Sequence, residues 1–373
     1  MTESIASSQP HPLPRIAWTM GDVAGIGPEI IANAWFDPAV RECCRPLVVG
    51  HPEVLRRALD LTAVGRSTGI EVLRDAQAVP ANPDDVACWN AGLQEVADVS
   101  PGLNDSRAGR GAFDYLSAAT HAALAGQIDG IVTAPLSKAA LHMAGLKYPG
   151  HTEILAELCK VPDFAMMLYL PTVPNQRLAL PGESPHSLGV VHVTLHTSIK
   201  SVPTLLTTEA IREKIGLIDR FMTDVTGKRP RIGVCALNPH AGEEGLFGDE
   251  EARLIAPAVL AEREAGSNVT GPFPADTLLL RAVNGAFDGV VAMYHDQGHI
   301  ALTLIAFGRA VNVTLGLPIV RTSPSHGTAF DIAWQGRADP AGMIEAIRVA
   351  ATLVALKREG ETGRGGEGET GRQ

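Results

Sequence analysis

The sequence has little that would support a disulfide framework, a cysteine metal site or a membrane anchor. Its 5 cysteines are scattered among 373 residues, and no two of them have the CxxC spacing of a zinc or redox motif. No apolar run approaches the roughly 18 residues that a membrane-spanning helix requires. The N-terminal residues lack a basic region followed by an apolar core, so no secretory signal is expected. We therefore expect a cytoplasmic protein with no membrane partner.

Basic residues are too few for a nucleic-acid-binding surface. Lys and Arg total 31 against 41 Asp and Glu, which gives a formal net charge of −10. A charge of this sign repels a phosphate backbone, and it repels an anionic membrane in the same way. The expected partner is therefore a small-molecule substrate, and a small anion remains possible where a few cations converge.

The common nucleotide-binding motifs are also missing. In MGDVAGIGPE the glycines are Gly21, Gly25 and Gly27, a spacing that matches neither GxGxxG nor the P-loop with its lysine. The segment follows a predicted strand and precedes a predicted helix. It is therefore interpreted as a tight strand-to-helix turn, with Asp22 and Glu29 expected to face a cleft.

What the sequence does contain is an alternation of short Val- and Ile-rich runs with longer Ala-, Leu- and Glu-rich segments. The apolar runs are nearly continuous, which is typical of strands buried on both faces of a parallel sheet. The fold class predicted is α/β with a mostly parallel sheet. The predicted strands are 16–20, 46–49, 130–133, 165–170, 190–195, 231–237, 289–294 and 311–315. The predicted helices lie near 27–35, 117–125, 137–144, 153–159, 207–223, 250–264 and 341–356.

Three histidines follow three different predicted strands. His196, His240 and His295 each lie one to three residues past a strand end, where the ligands of α/β sheets gather. Three imidazoles at one rim would form a divalent-metal site with open positions for water or substrate, although each could instead be an ordinary loop residue. Two nearby histidines have simpler interpretations. We predict His192 to be a hydrogen-bonded core residue and His299 to line the cleft wall.

Two further segments carry polar groups that suit a site. Asp276 and Asp296 lie among Gly and Pro or beside a histidine, where they would orient an imidazole or exchange a proton, although Asp276 could instead cap a helix. In the loop 322–340, His326, Gly327 and Thr328 offer donors. In the same loop, Asp331 could accept a hydrogen bond from a ribose hydroxyl.

Taken in order, these motifs resemble one enzyme family. GDVAGIGPE, TAPLSKAALHMAGLKYPGHTE, LNPHAGEEGLFGDEE, GPFPADT, YHDQGHIAL and FGRAVNVTLGLPIVRTSPSHGTAFDIA are similar to the 4-hydroxythreonine-4-phosphate dehydrogenase family of pyridoxal phosphate biosynthesis, over about residues 15–357. The resemblance implies a fold like that of isocitrate and isopropylmalate dehydrogenases, with two α/β domains around a cleft.

The resemblance also implies a division of the chain. Residues 14–140 and 310–357 would form a cofactor-side domain, and residues 141–309 a metal-binding and dimerisation domain. The composition of residues 1–13 and 358–373 predicts disordered tails, since neither has enough apolar side chains to bury.

The resemblance assigns roles to individual residues. The three histidines become ligands of one divalent ion (zinc, magnesium or cobalt) shared between the chains of a homodimer. The substrate-binding positions are His151, Thr152, Asn312 and Arg321. Those for NAD or NADP are Gly327, Thr328 and Asp331. The catalytic proton-transfer residue is not identified, and Lys138, Asp276 and Asp296 are the candidates.

The implied reaction is the metal-dependent, NAD(P)-linked oxidation and decarboxylation of 4-phosphohydroxy-L-threonine to 3-amino-2-oxopropyl phosphate. One alternative is a catabolic paralogue that acts on another diol, either an aromatic cis-dihydrodiol carboxylate or threonate 4-phosphate. A second alternative is a metal- and dinucleotide-binding protein without turnover.

Four departures from the family pattern bear on the substrate. Thr303 stands where the family has a substrate-binding lysine, and the Pro-rich stretch 171–189 replaces a short turn between two strands. Trp334 replaces a glycine of the cofactor loop, and Val23 replaces a proline. The first two departures favour the catabolic paralogue, whereas the intact motifs favour the family's named reaction.

Overall fold

The computed structural model describes residues 12–78, 80, 82, 84–172, 186–306 and 308–366. The strands of this part of the chain are β1 (Arg15–Thr19), β2 (Arg45–Val49), β3 (Ile70–Leu73), β4 (Val86–Trp89), β5 (Gly130–Thr133), β6 (Ala165–Leu170), β7 (Leu188–His192), β8 (Ile232–Cys235), β9 (Val269–Phe273), β10 (Gly289–Ala292), β11 (Val311–Leu315) and β12 (Val320–Pro324). Its α-helices are α1 (Gly27–Ala34), α2 (Pro38–Cys43), α3 (Pro52–Leu59), α4 (Ser106–Leu124), α5 (Lys138–Met143), α6 (His151–Cys159), α7 (Val202–Leu205), α8 (Thr208–Thr226), α9 (Ala256–Glu264), α10 (Ala275–Val283), α11 (His295–Ala306) and α12 (Ala341–Gly366).

The described strands form one sheet in the order β3-β4-β2-β1-β5-β12-β11-β6-β7-β10-β8-β9. Neighbouring strands are parallel except at the β12–β11, β11–β6 and β6–β7 pairs. The predicted α/β class with a mostly parallel sheet is confirmed. Every residue of β5, β6, β7, β8 and β10 is buried, because helices cover the sheet, and this burial explains the continuous apolar runs in the sequence.

The sheet order keeps the two predicted domains apart. Strands β1–β5, β11 and β12 come from the predicted cofactor-side segments and are neighbours in one half of the sheet. Strands β6–β10 come from the predicted metal-binding segment and form the other half. The halves meet where β11 pairs with β6 in antiparallel fashion. The division at residues 140 and 310 remains a prediction.

Helix α12 continues to Gly366 and so extends past residue 358, where the sequence predicts the C-terminal tail to begin. Disorder of the tail stays a prediction. Side chains near the predicted boundary fasten the helix to the core: Lys357 Nζ donates to Pro318 O at 2.8 Å, and Arg358 Nη2 lies 2.7 Å from Asp129 Oδ1. The predicted tails at 1–11 and 367–373 lie outside the described residues, as do residues 173–185 of the Pro-rich stretch.

None of the helices within the described ranges combines the length and the apolar character that a bilayer crossing requires.

Candidate active site

The candidate site is a cavity of about 260 Å³ at the carboxyl ends of the central strands. Loops that follow β5, β7 and β12, the first turns of α6 and α11, and β11 itself all reach it, as expected for an α/β sheet. The residues that line it and matter for its chemistry are Thr133, Lys138, His151, Thr152, Glu153, His196, His295, His299, Asn312, Arg321, Ser323, His326 and Gly327.

Arg321 provides a buried positive charge in this cavity. Its side chain is 2% exposed, and its guanidinium donates to Thr133 Oγ1 at 2.6 Å and to Thr314 Oγ1 at 3.0 Å. Burial lowers the pKa of Arg321 to about 9, although Glu153 opposes this shift, so the guanidinium stays protonated at neutral pH. Its Nε has no hydrogen-bond partner. Since its bonded partners are neutral hydroxyls, this cation is suited to an anionic ligand.

The other predicted substrate-binding residues lie in the same cavity wall. His151 and Thr152 begin α6, and Asn312 points from β11 with its Oδ1 unpartnered. Burial lowers the pKa of His151 well below its usual value, and the nearby Arg321 charge adds to this shift. His151 is therefore neutral at physiological pH and offers a hydrogen bond rather than a charge. The structure brings all four predicted substrate residues together around one cavity.

The three predicted metal ligands are only partly brought together. The His196 and His295 rings lie 5.8 Å apart and both line the cavity, and His295 Nδ1 is 2.7 Å from Asp296 Oδ1. His240 is exposed outside this wall, close to Glu243 and Phe247. Across the described ranges, no three His, Cys, Asp or Glu side chains are arranged to hold a metal ion. One chain thus brings two of the three predicted metal ligands to the cavity.

His192 and His299 lie beside these two imidazoles. His192 is a fully buried core residue, as predicted, but neither ring nitrogen has a partner with good hydrogen-bond geometry. His299 lines the cavity as predicted and stacks on His295 with ring centroids 4.1 Å apart. Burial, together with neighbouring histidines, lowers the pKa of His192 to about 3 and that of His299 to about 4. Both rings are therefore neutral.

The predicted cofactor residues occupy different places. Gly327 lines the cavity and has open space where a side chain would be, whereas Asp331 is exposed beyond the cavity lining. Thr328 also lies beyond the lining, and its carbonyl accepts from Ile26 N at 3.0 Å. Trp334 has a φ of 62°, a conformation that favours the glycine expected there. The loop thus runs from Gly327 at the cavity to Asp331 at the exposed surface.

The cofactor loop rests on the glycine-rich turn. A Cβ at Gly25 would lie 2.8 Å from the Thr328 carbonyl oxygen, so glycine permits this close packing. The expectation that Asp22 and Glu29 face the cleft is wrong, because both are buried and neither lines the cavity. Glu29 accepts hydrogen bonds from Trp334 N and from Gly336 N, the latter at 2.8 Å, and so fastens the loop to α1.

The other buried carboxylate of this segment, Asp22, has only one of its two oxygens hydrogen-bonded. Asp22 Oδ1 accepts from Ala24 N at 2.9 Å, while Oδ2 has no partner. Burial raises the pKa of Asp22 to about 6. The tight-turn interpretation of this segment matches its packing, since backbone atoms fill the space that a phosphate would need.

The candidates for proton transfer separate by position. Lys138 lines the cavity at the first turn of α5, which Ser137 caps by accepting from Ala140 N. Asp296 is bonded to His295, and Asp276 is an exposed first-turn residue of α10 outside the lining. Sequence reasoning did not single out Glu153, whose Oε1 lies 3.9 Å from His196 Nδ1. Its place in GHTE, beside two predicted substrate residues, was the available signal.

Buried polar atoms without partners are concentrated around this cavity. Unpartnered atoms of its lining residues are Glu153 Oε2, His299 Nδ1, Asn312 Oδ1, Arg321 Nε and His326 Nε2. Buried polar groups usually have hydrogen-bond partners, so such a group of atoms indicates a site that is completed by a polar ligand. The mixture of donors and acceptors suits a small molecule with hydroxyl and acidic groups.

Comparison with known proteins gives consistent matches. The family model described as pyridoxal phosphate biosynthetic protein PdxA matches residues 42–350. A 4-hydroxythreonine-4-phosphate dehydrogenase from Geobacter metallireducens is 43% identical over 94% of this chain and 98% of its own length. A D-threonate 4-phosphate dehydrogenase from Pectobacterium atrosepticum is 42% identical over 91% of this chain and 99% of its own.

Solved structures agree with these matches. A 4-hydroxythreonine-4-phosphate dehydrogenase from Klebsiella pneumoniae has a TM-score of 0.78 and 43% identity, covering 91% of this chain and 99% of its own. A terephthalate 1,2-cis-dihydrodiol dehydrogenase from Burkholderia xenovorans LB400 has a TM-score of 0.59 and 29% identity, with 91% and 98% coverage. The resemblance read from the motifs is confirmed, and this chain belongs to the PdxA family of pyridoxal phosphate biosynthetic proteins.

Proposed function

We propose that this protein is a metal-dependent, NAD(P)-linked dehydrogenase that oxidises and decarboxylates 4-phosphohydroxy-L-threonine to 3-amino-2-oxopropyl phosphate. The observation that carries the proposal is the buried Arg321 cation, which has no carboxylate partner and shares a cavity with His196 and His295. An anionic substrate would neutralise the guanidinium and place its alcohol near the two imidazoles. The name of the Geobacter metallireducens relative supports the choice of substrate.

Threonate 4-phosphate is the second candidate substrate. It shares the carboxylate, the phosphate and the alcohol that is oxidised, and the Pectobacterium atrosepticum relative is named for it. An aromatic cis-dihydrodiol carboxylate is a third candidate, supported by the name of a more distant structural relative. All three candidates are acidic alcohols, so the same cation and the same polar cavity would serve each of them.

The proposed metal ligands are His196 and His295 from one chain and His240 from a second. The first two fit the role, since their rings are 5.8 Å apart at one cavity wall and the Asp296 carboxylate holds His295 through Nδ1. A bound zinc, magnesium or cobalt ion would supply Lewis-acid polarisation of the substrate alcohol and of the ketone that it becomes. Asp296 would keep the His295 ring oriented.

The remaining lining residues would bind the substrate and move its protons. His151, being neutral, and Thr152 would donate hydrogen bonds, while Asn312 would accept one from a hydroxyl or amino group. Oxidation transfers a hydride from the carbinol carbon to the nicotinamide and releases the hydroxyl proton. Loss of CO2 then leaves a carbon that must gain a proton. Lys138 is the cavity residue proposed to carry these protons, because its ammonium group both donates and, once deprotonated, accepts.

The nicotinamide cofactor is proposed to enter along the loop that begins at His326. Gly327 leaves open space at the cavity, and the unpartnered His326 Nε2 offers a hydrogen bond there. Asp331, exposed farther along, is the proposed acceptor for a ribose hydroxyl. The choice between NAD and NADP is part of the experiment below.

We propose a homodimer as the functional unit. Each connection that carries a proposed metal ligand also exposes large apolar side chains, which is typical of an interface. These side chains are Ile199 and Leu205 after His196, Leu246 and Phe247 after His240, and Ile300 and Leu304 after His295. A second copy would cover them and could bring its own His240 to the cavity.

The experiment that tests the function is a kinetic comparison of the three candidate substrates. Zinc-, magnesium- and cobalt-loaded protein is assayed for NADH and NADPH formation with 4-phosphohydroxythreonine, threonate 4-phosphate and an aromatic dihydrodiol carboxylate. We expect the highest kcat/KM with 4-phosphohydroxythreonine. Stoichiometric NAD(P) binding without reduction on any substrate would instead identify a binding protein without turnover.

A further inference from the structure

His192 and His299 form a pair that the proposed reaction leaves unused. His192 lies at the end of β7 and is fully buried, and neither of its ring nitrogens has a partner. His299 lies on α11, lines the cavity and has an unpartnered, buried Nδ1. Buried polar atoms without partners are uncommon, so these three nitrogens call for a common explanation.

The geometry allows the two rings to satisfy each other. Their centroids are 5.5 Å apart with a tilt of 40°. A hydrogen bond between imidazole nitrogens about 3 Å apart places the centroids roughly 5 Å apart, so a small rotation suffices. Gly298 keeps the rings close, because a Cβ there would lie 2.7 Å from His192 Nε2.

A bond between the two rings would define the role of His299. An imidazole that carries one proton has one donor and one acceptor nitrogen. If His192 donates to His299 Nδ1, the proton of His299 must be on Nε2. His299 would then present a donor to the cavity, which suits the oxygen atoms of an acidic alcohol.

The stacking geometry separates His299 from the proposed metal ligands. Its ring is nearly parallel to that of His295, with an interplanar angle of 13° and centroids 4.1 Å apart. Rings stacked in this way lie face to face, so their nitrogen lone pairs do not converge on one metal ion. The His196 and His295 rings are 5.8 Å apart and tilted by 41°, which leaves room for an ion between them.

We infer that His299 is a substrate-binding residue, which donates a hydrogen bond to an oxygen of the acidic alcohol that is oxidised, and that His192 is a positioning residue that fixes its tautomer. The inference rests on the proposed function, since it assumes that such a substrate occupies the cavity. Helix α11 would then carry a substrate-binding residue, His299, in addition to the proposed metal ligand His295 at its first turn.

The test uses the metal-loaded, full-length protein and four variants. His299→Ala removes the donor, and His299→Asn keeps an amide donor. His192→Leu removes both buried nitrogens at similar volume, and the fourth variant combines His192→Leu with His299→Ala. His121→Ala, an exposed position on α4, is the control. The substrate KM, the cofactor KM, kcat and the affinity of the metal-free protein for Zn²⁺ are measured for each.

We expect His299→Ala to raise the KM for the best candidate substrate by about tenfold to a hundredfold. The kcat should stay within about threefold of the parent value, and the zinc affinity should be unchanged. His299→Asn should recover part of this loss, and His192→Leu should raise KM by less. The double variant should resemble His299→Ala alone, since the two residues act through one contact.

Three results would overturn the inference. An unchanged KM in the soluble His299→Ala protein would remove the substrate contact. A parallel fall in zinc affinity would make His299 a metal ligand, and independent, multiplying effects of the two substitutions would separate His192 from it. Absence of turnover by the parent protein on every candidate substrate would instead contradict the proposed function, and with it the contact.

Discussion

At the scale of single residues, the fold holds two ionisable groups in surroundings that disfavour charge, one inside the site and one outside it. Arg321 and Asp22 are both buried, and burial shifts the pKa of each towards its neutral form. The hydrogen-bond partners of Arg321 are two hydroxyl groups, and that of the Asp22 carboxylate is a backbone N–H, so neither group is bonded to an opposite charge. The free energy that such groups cost in folding is acceptable where a ligand or a precise turn needs them.

The Arg321 cation should trade stability for binding. Arg321→Met removes a buried charge, so we expect the free energy of unfolding to rise by roughly 1–3 kcal/mol. The KM for a phosphate-bearing diol should rise by about tenfold to a hundredfold, because charge-assisted hydrogen bonds are lost. Urea unfolding and steady-state kinetics measure the two effects. Arg74→Met, at an exposed arginine, is the matched control and should change neither. Retained substrate affinity would show that Arg321 is only structural.

Asp22 gives the stability a predictable pH dependence. Its pKa is about 6 in the folded protein against an ordinary value of 3.8, so folding favours the protonated form. Its contribution to stability is therefore fully present below about pH 4 and is lost as the pH rises through about 6. Asp22→Asn keeps the Oδ1 acceptor for Ala24 and removes the charge.

We expect Asp22→Asn to raise the free energy of unfolding at pH 8 by about 1–3 kcal/mol, with little difference from the parent protein at pH 4. Urea unfolding across this pH range measures the change. A stability difference of the same size at both pH values would mean that the Asp22 charge is not the cause.

At the scale of elements, the cofactor loop depends on a carboxylate outside it. Glu29 on α1 accepts from the backbone of Trp334 and Gly336, and the loop carries the proposed dinucleotide contacts. Glu29→Gln replaces one acceptor oxygen with a donor that faces a backbone N–H. We expect about 1–3 kcal/mol less stability and a KM for NAD(P) that rises more than the KM for substrate. Equal changes in both KM values would argue against a loop-specific role. Glu53→Gln, in the first turn of α3, is the control.

Most central strands were predictable from sequence, whereas the central β12, the edge strands β3 and β9, and β4 beside β3 were not. Strands β5, β6 and β11 begin and end at the predicted residues, because a strand buried on both faces requires a continuous run of apolar residues. Strands β3 and β9 were missed because they are half-exposed edges, and β9 contains Gly271 and Pro272. Strand β12 was missed because it carries the polar residues of the site.

The site shows the same division. The motifs identified Arg321, His151, Thr152 and Asn312 as one group, and these residues do share a cavity. The burial of Glu29 was not predictable, because it depends on a loop more than 300 residues away in sequence, as the Trp334 to Glu29 hydrogen bond shows. A residue type and its spacing predict which strand end it follows, but not which distant segment will pack on it.

At the scale of the whole molecule, we propose a metal site that is shared between two chains. His196 and His295 share a cavity and His240 lies outside it, so in a dimer His240 would come from the other copy. Mixing His196→Ala chains with His240→Ala chains should restore activity in about a quarter of the sites, because half of the dimers are hybrids and one site of each hybrid keeps three histidines. Mixing His196→Ala with His295→Ala chains should restore none.

Recovery is measured as NAD(P)H formation after the chains are mixed under conditions that exchange subunits. Sedimentation of the parent protein gives its oligomeric state. Full turnover by a monomer would contradict the shared site, and so would activity restored only in the second mixture.

The central claim is that the protein couples oxidation to loss of CO2 and needs a divalent metal for both. The most direct measurement follows NAD(P)H formation and CO2 release together, with the best of the three candidate substrates, before and after treatment with a chelator. We predict one NAD(P)H and one CO2 for each substrate consumed, loss of both after chelation, and recovery of both when the metal is restored. NAD(P) reduction that persists without metal, or that proceeds without CO2, would contradict the claim.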